Sequence, residues 1–246
     1  MALQEELKTQ GDYLFKNRSY LPLIILGIGL SVHCYTEYTE IEGKENWITE
    51  SFEYICLAVS LLGFAIRVYT VGFAAKNTSG RNTKDGQIAD QLNVKGVYSI
   101  VRHPLYVGNF FMWLGIGMLT ENFWFVMSFI LFYAFYYERI MYAEENFLRK
   151  KFGNEYIEWA NKVPAFIPSF KGFQKPTQSF DWKKVLKKEK NGIAAVFIVF
   201  WFFECIGDFA ENGKLTIEID FWFISALLFS FIYLILKILK KRKVLD

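Results

Sequence analysis

The chain has little of what disulfide frameworks and metal centres are built from. It holds three cysteines and two histidines in 246 residues. Cys34, Cys56 and Cys205 all lie in apolar runs, with no CxxC spacing and no histidine partners. They read as small buried hydrophobes rather than as ligands or cross-links. No nucleophile triad stands out, and no internal repeat is visible. The first eighteen residues hold Glu5, Glu6 and Lys8, which is wrong for the cationic start of a signal peptide. Neither a metal nor a nucleic acid is expected as a partner.

What is present is apolar and aromatic: 53% hydrophobic residues and 19% aromatic, beside 22% charged residues that fall in clusters. That is the composition of a polytopic membrane protein with polar loops. Residues 19–36 carry no formal charge, about enough to span a bilayer. No cleavage site follows, so a retained helix is expected. A second run, 52–75, is interrupted by Glu53 and Arg67, the latter read as a snorkelling anchor or a substrate contact. Runs 105–120 and 122–137 are short for full spans and predict a tight helical hairpin extended by polar ends, preferred here over a partly re-entrant one. Its second helix continues to about Lys151 and stops at Phe152–Gly153, with Asn154 capping a further helix. Residues 171–190 read as a basic linker, and 191–210 and 221–236 as two last apolar helices.

The expected fold is all-α: a polytopic bundle of about six transmembrane helices with its pocket on the cytoplasmic face. Segments 37–50 and 208–220 are acidic, whereas 76–102, 138–190 and 237–246 are basic. Alternation across six spans puts both termini and the basic loops in the cytoplasm, of either a bacterial inner membrane or an endoplasmic reticulum. The glycosylation-like sequons at Asn17 and Asn77 fall on that side and carry no meaning. The expected units are 1–79, an N-terminal helix pair; 80–170, a catalytic core; 171–190, the linker; and 191–246, a C-terminal helix pair.

The densest chemistry is in GVYSIVRHPLYVG, residues 96–108, where a polar loop enters an apolar run. Pro104 biases His103 away from helical geometry, so the helix is expected to begin at the proline. A basic pair, Arg102–His103, at a helix N-terminus suits an anion. Taken singly, each residue reads as an interfacial anchor. Downstream, at the basic end of the fourth helix, adjacent Glu144 and Glu145 point to different sides. A carboxylate facing back over Arg102–His103 makes a pocket of mixed sign, suited to a zwitterion.

GxYxxxRHPxYxG, a hydrophobic hairpin, then EE-x-x-L-x-x-x-FG-x-x-Y and VPxFIP together resemble the isoprenylcysteine carboxyl methyltransferase family. That family belongs to a wider group with the phospholipid and small-thiol methyltransferases. The resemblance covers residues 80–168 and leaves the last two spans outside. It implies S-adenosylmethionine bound in a cytoplasmic pocket without a Rossmann domain. The implied cofactor residues are Asp90, Gln91, Leu92, Asn93, Tyr98, Arg102, His103, Pro104, Leu105, Tyr106, Glu144 and Glu145. In prenylcysteine-type members a substrate arginine lies one turn before the glutamate. Here that position is Ile140, and the arginine is displaced by one, to Arg139. Arg139 and His103 are the implied catalytic residues.

Methyl transfer from a sulfonium needs collinear alignment and a dry pocket, which Tyr98, Tyr106 and Phe110 could line. The expected acceptor is a lipid or small lipophilic molecule: a prenylcysteine-like carboxylate, a phospholipid amine or a thiol. Membrane lipids are the other expected partners. A carboxylate needs no base; an amine or thiol would need one, from His103 or a glutamate. Two alternatives remain at this stage. One is an NADPH-dependent sterol-type reductase of related architecture, and the other a non-catalytic membrane scaffold.

Overall fold

The computed structural model describes residues 2–39, 47–75, 78, 81–83, 86–214 and 217–245. Much of the expected acidic loop (40–46), together with Asn77, lies outside them. Among the described residues there are eight α-helices: α1 (Leu3–Lys16), α2 (Leu21–Thr39), α3 (Trp47–Phe73), α4 (Pro104–Met118), α5 (Phe123–Phe152), α6 (Asn154–Ala160), α7 (Trp182–Asn212) and α8 (Phe221–Lys241). One small antiparallel pair, β1 (Arg81–Thr83) and β2 (Gly86–Ile88), departs from the all-α expectation inside the 76–102 loop.

The hairpin forms as its sequence predicts. Pro104 is the first residue of α4, where its missing N–H costs nothing, and His103 is the non-helical N-cap. Asn122 caps α5 by accepting from the Phe125 amide. Gly153, at φ 57°, ends α5 and itself precedes α6, taking the cap position expected of Asn154.

Two elements differ from expectation. The polar N-terminus is a helix, because Leu7, Gly11, Leu14, Phe15 and Arg18 recur at helical spacing and turn toward α5. Gly11 sits so close to the Arg139 carbonyl and the Ala143 side chain that a Cβ there would collide. The basic linker is also shorter than expected. Asp181 accepts from the Lys184 amide and starts α7 at Trp182, nine residues before the apolar run.

Among the described residues, three helices are long and apolar enough to cross a membrane: Ser51–Phe73 within α3, then α7 and α8, with mean hydropathies of 1.9, 2.0 and 2.2. Six were expected. Two of the others fall short for identifiable reasons. At 15 residues α4 is roughly 22 Å long, less than a hydrocarbon core. α5 turns polar at Glu138.

α3 and α4 pack back to back through small residues. A Cβ at Gly63 or Gly115 would strike the opposite backbone, so the two helices approach as glycine alone permits. Ser60 donates to the Met112 carbonyl at 3.0 Å across the same seam. One core cluster joins α3, α4, α7 and α8 through Cys56, Met112, Ile116, Val196, Phe200 and Trp222. A second, aromatic cluster joins α1, α4 and α5 through Phe15, Tyr106, Phe129, Tyr133 and Tyr137. Tyr106 and Tyr137 of the aromatic cluster also line a cavity.

Candidate active site

The loop before α4 is held from outside by the segment after α6. The Arg102 amide donates to the Pro164 carbonyl at 2.9 Å, and the His103 amide to Ala165 at 3.2 Å. Ser169 N–H donates to Ile100 at 2.9 Å, Trp159 Nε1 to the Tyr98 carbonyl at 3.0 Å, and Arg102 Nη1 to Ala160 at 3.0 Å. The two sequence motifs are therefore one structure: the VPxFIP segment supplies the acceptors that the RHP segment needs while it is extended. At the loop's start, Gly96 has φ 64° and donates to the Gln174 carbonyl at 2.9 Å.

A cavity of about 350 Å³ opens between this loop, the N-terminus of α4 and the middle of α5. Gln91, Leu92, Asn93, Tyr98, Arg102, His103, Pro104, Leu105, Tyr106 and Glu144 line it, as the motif reading expects. Asn93 is fixed by donating to Thr78 Oγ1 at 2.6 Å. The other expected residues lie elsewhere. Asp90 is exposed and does not line the cavity. Glu145 stands behind its wall as a partner of His103.

Arg139, expected to be catalytic, is also outside. It faces α1, where its Nε donates to Gln10 Oε1 at 3.1 Å, and its Nη1 donates to the Phe135 carbonyl. Consecutive helix residues differ by about 100°, so Ile140, 0% exposed, takes the inward direction instead. Arg67, read as a snorkelling anchor or a substrate contact, points inward rather than to the interface. Its Nε and Nη2 grip both oxygens of Glu189 at 2.8 Å, and its third arm reaches Asn109 Oδ1 at 2.5 Å. Only its long-range partner on α7 reveals this. Arg18, Asn109, Trp113 and Tyr137 also line the cavity, and Arg18 arrives there because α1 is a helix.

His103, 6% exposed, lies between the two carboxylates. Its Nε2 donates to Glu145 Oε1 at 3.0 Å, and its Nδ1 is 3.6 Å from Glu144 Oε2. Tyr106 donates to the same Glu144 oxygen at 2.8 Å and stacks on the imidazole, ring centroids 5.5 Å apart. Arg102 Nε is 3.1 Å from Glu145 Oε1, at ion-pair distance without hydrogen-bond alignment. Burial opposes the imidazolium, but hydrogen bonds and charge from Glu144 and Glu145 outweigh it and hold the His103 pKa above its ordinary value. Burial likewise opposes each carboxylate, and His103 reverses it, so both glutamates titrate below the usual range. Burial first, then the Glu144 charge, push the Tyr98 phenol up and keep it neutral. The site is thus a histidine held between two carboxylates that favour its protonated form, with Glu144 also facing the cavity.

Residues 54–155 match the profile of the phospholipid methyltransferase family. The nickel-cobalt-cadmium resistance protein NccN of Alcaligenes xylosoxydans xylosoxydans is 32% identical over 136 residues, 54% of this chain and 60% of that protein. Protein-S-isoprenylcysteine O-methyltransferase B of Arabidopsis thaliana is 31% identical over 127 residues, 51% of this chain and 62% of the relative. The protein-S-isoprenylcysteine O-methyltransferase of Schizosaccharomyces pombe is 35% identical over 122 residues, 49% of each chain. The chain therefore spans between about half and three fifths of the length of these relatives. No solved structure matches it.

Proposed function

We propose, from the match of residues 54–155 to the phospholipid methyltransferase profile and from the similarity to the methyltransferases named above, that the protein is an integral membrane methyltransferase using S-adenosylmethionine. Its acceptor is a lipophilic or small molecule of the prenylcysteine carboxylate, phospholipid amine or thiol class. The observation that carries this reading is Glu144, an ionised carboxylate on the wall of a cavity that also opens on a helix N-terminus.

The residues present fit the cofactor. Its methionine end is a zwitterion. Glu144 would hold the ammonium, while the first turn of α4, where the Leu105 amide has no intrahelical acceptor, would hold the carboxylate. Gln91 and Asn93 offer amides, and Tyr98 and Trp159 offer aromatic faces, to the nucleoside end. When bound, the cofactor supplies a methyl group on a sulfonium, ready for in-line displacement. The chain's part is to align and to dry. Tyr106, Trp113 and Tyr137 close the inner end against water, while Arg18 and Arg67 stand by the acceptor approach. His103 is a positioning group here. Set between two carboxylates that favour its protonated form, it orients Glu144 rather than taking a proton. Such a site favours an acceptor that arrives already deprotonated, a carboxylate or thiolate.

In the membrane, α2, α4 and α5 join the three long helices to give six spans. Both termini and the cavity mouth then face the cytoplasm. The test is methyl transfer by the purified protein in nanodiscs, from methyl-tritiated cofactor to prenylcysteine, aminophospholipid and thiol acceptors. Transfer to one class, reduced at least about 100-fold in Glu144→Ala, is the expected result. A folded protein that methylates none of them, or that instead oxidises NADPH, would overturn the reading.

A further inference from the structure

α7 and α8, both outside the family-matched segment, pack antiparallel with a register set by ring contacts. Phe197 stacks on Phe229 with centroids 4.0 Å apart and planes 3° from parallel, and Trp201 meets Phe223 at 5.9 Å. Two helical turns from the Phe197–Phe229 pair, toward the start of α7, Lys190 comes opposite the end of α8, where Lys237 and Lys240 stand. The register therefore brings all three lysines to the same end of the α7–α8 pair.

This is an unusual place for a lysine. Lys190 is 6% exposed, and its ammonium donates to the Lys187 carbonyl at 2.9 Å. Its neighbour Glu189 is turned away and committed to Arg67. Among the described residues, none of Lys190, Lys237 and Lys240 pairs with a carboxylate. Lys237 and Lys240 are exposed above it, so the cluster is reachable from outside. Three lysines at one end of this helix pair, one of them with a buried side chain and one with its ammonium over the Tyr233 ring, build a positive potential that an anion among them would relieve. The inside-positive bias of membrane proteins explains basic residues at this end of α7 and α8. It does not explain burying one of them beneath two others.

We propose that Lys190, Lys237 and Lys240 form a binding site for a phosphate-bearing anion, the headgroup of an anionic phospholipid. Lysine ammoniums are point charges suited to phosphate, and a site at the membrane border meets lipid headgroups by position. The site is separate from the cavity, because Glu189 and Lys190 diverge by about 100° on α7. A lipid bound here would clamp α7 to α8 at the end where Glu189 holds Arg67.

The test uses the full-length protein in neutral detergent, with unfolding temperature read against added phosphatidylglycerol, phosphatidylcholine or inorganic phosphate. Phosphatidylglycerol should raise the midpoint by roughly 3–5 °C over phosphatidylcholine. The rise should vanish in K190Q/K237Q/K240Q and persist in K241Q/R242Q/K243Q, which removes as many charges from the neighbouring tail. Protection by phosphatidylglycerol alone assigns the site to a lipid. Equal protection by inorganic phosphate assigns the same lysines to a soluble phosphate compound. An equal loss in both triple variants, or no preference over phosphatidylcholine, would overturn the proposal. If K190Q/K237Q/K240Q does not fold, K237Q/K240Q, which leaves the buried lysine in place, replaces it and must lose most of the rise.

Discussion

His103 draws its charge from its position, and that gives the site a defined pH window. Its pKa is raised on folding, so its ion pairs are fully present below the ordinary histidine pKa and are lost as pH rises through the higher folded value. The pKa values of Glu144 and Glu145 are lowered, so their share is present above the ordinary glutamate pKa and lost as pH falls through the lower folded values. Cofactor affinity should therefore plateau around neutrality and decline on the alkaline side. Titrating binding against pH checks this, and His103→Gln should remove the alkaline decline. Glu144→Gln keeps the shape but removes the charge. Loss of a charge-assisted hydrogen bond predicts a 10- to 100-fold weaker cofactor affinity by calorimetry, roughly 1.5–3 kcal/mol.

These residues were legible because they lie in two compact motifs whose chemistry is local. Arg139 was not legible, because one residue of helical rotation decides whether a side chain faces the cavity or α1. Arg18 and Arg67 were hidden for a different reason. Their roles depend on α1 forming a helix and on a carboxylate 122 residues downstream.

At the scale of elements, the segment 159–169 acts as a brace for the loop before α4. Trp159→Phe removes the donor to the Tyr98 carbonyl while keeping an aromatic ring. The expected result is a loss of about 1 kcal/mol, seen as weaker cofactor affinity with little change in unfolding temperature. The α3–α4 seam should respond differently. Gly63→Val would press a branched side chain into the α4 backbone at Gly108 and Met112. Overpacking of this kind costs typically about 1–3 kcal/mol, and it should appear as a lower unfolding temperature in detergent.

Element boundaries set by caps were readable, as with Pro104, Asn122 and Gly153. The start of α7 was missed because its first turns are basic. In sequence they resemble a linker, and only the Asp181 cap marks them as helix.

Across the whole molecule, the Arg67–Glu189 pair ties the C-terminal helices to the segment that carries the cavity. The carboxylate is 3% exposed, so removing Arg67 leaves an uncompensated charge in a dry setting. Arg67→Met should therefore destabilise the protein by roughly 3–5 kcal/mol, and Arg67→Met/Glu189→Met should recover much of the loss. Paired thermal melts of the single and double variants decide this. The apolar runs and loop charges announced a membrane bundle, but the link between its two halves lies in pairwise packing that no periodicity encodes.

The central claim is that one cavity, built by the RHP and EE motifs together, holds S-adenosylmethionine. The most direct measurement is calorimetric binding of the cofactor and its demethylated product to detergent-purified protein, beside His103→Ala and Glu144→Ala. The account predicts saturable one-site binding to the wild type, lost or strongly weakened in both variants while their unfolding remains cooperative. A well-folded wild type that binds neither molecule, or binding that survives both substitutions unchanged, would contradict it.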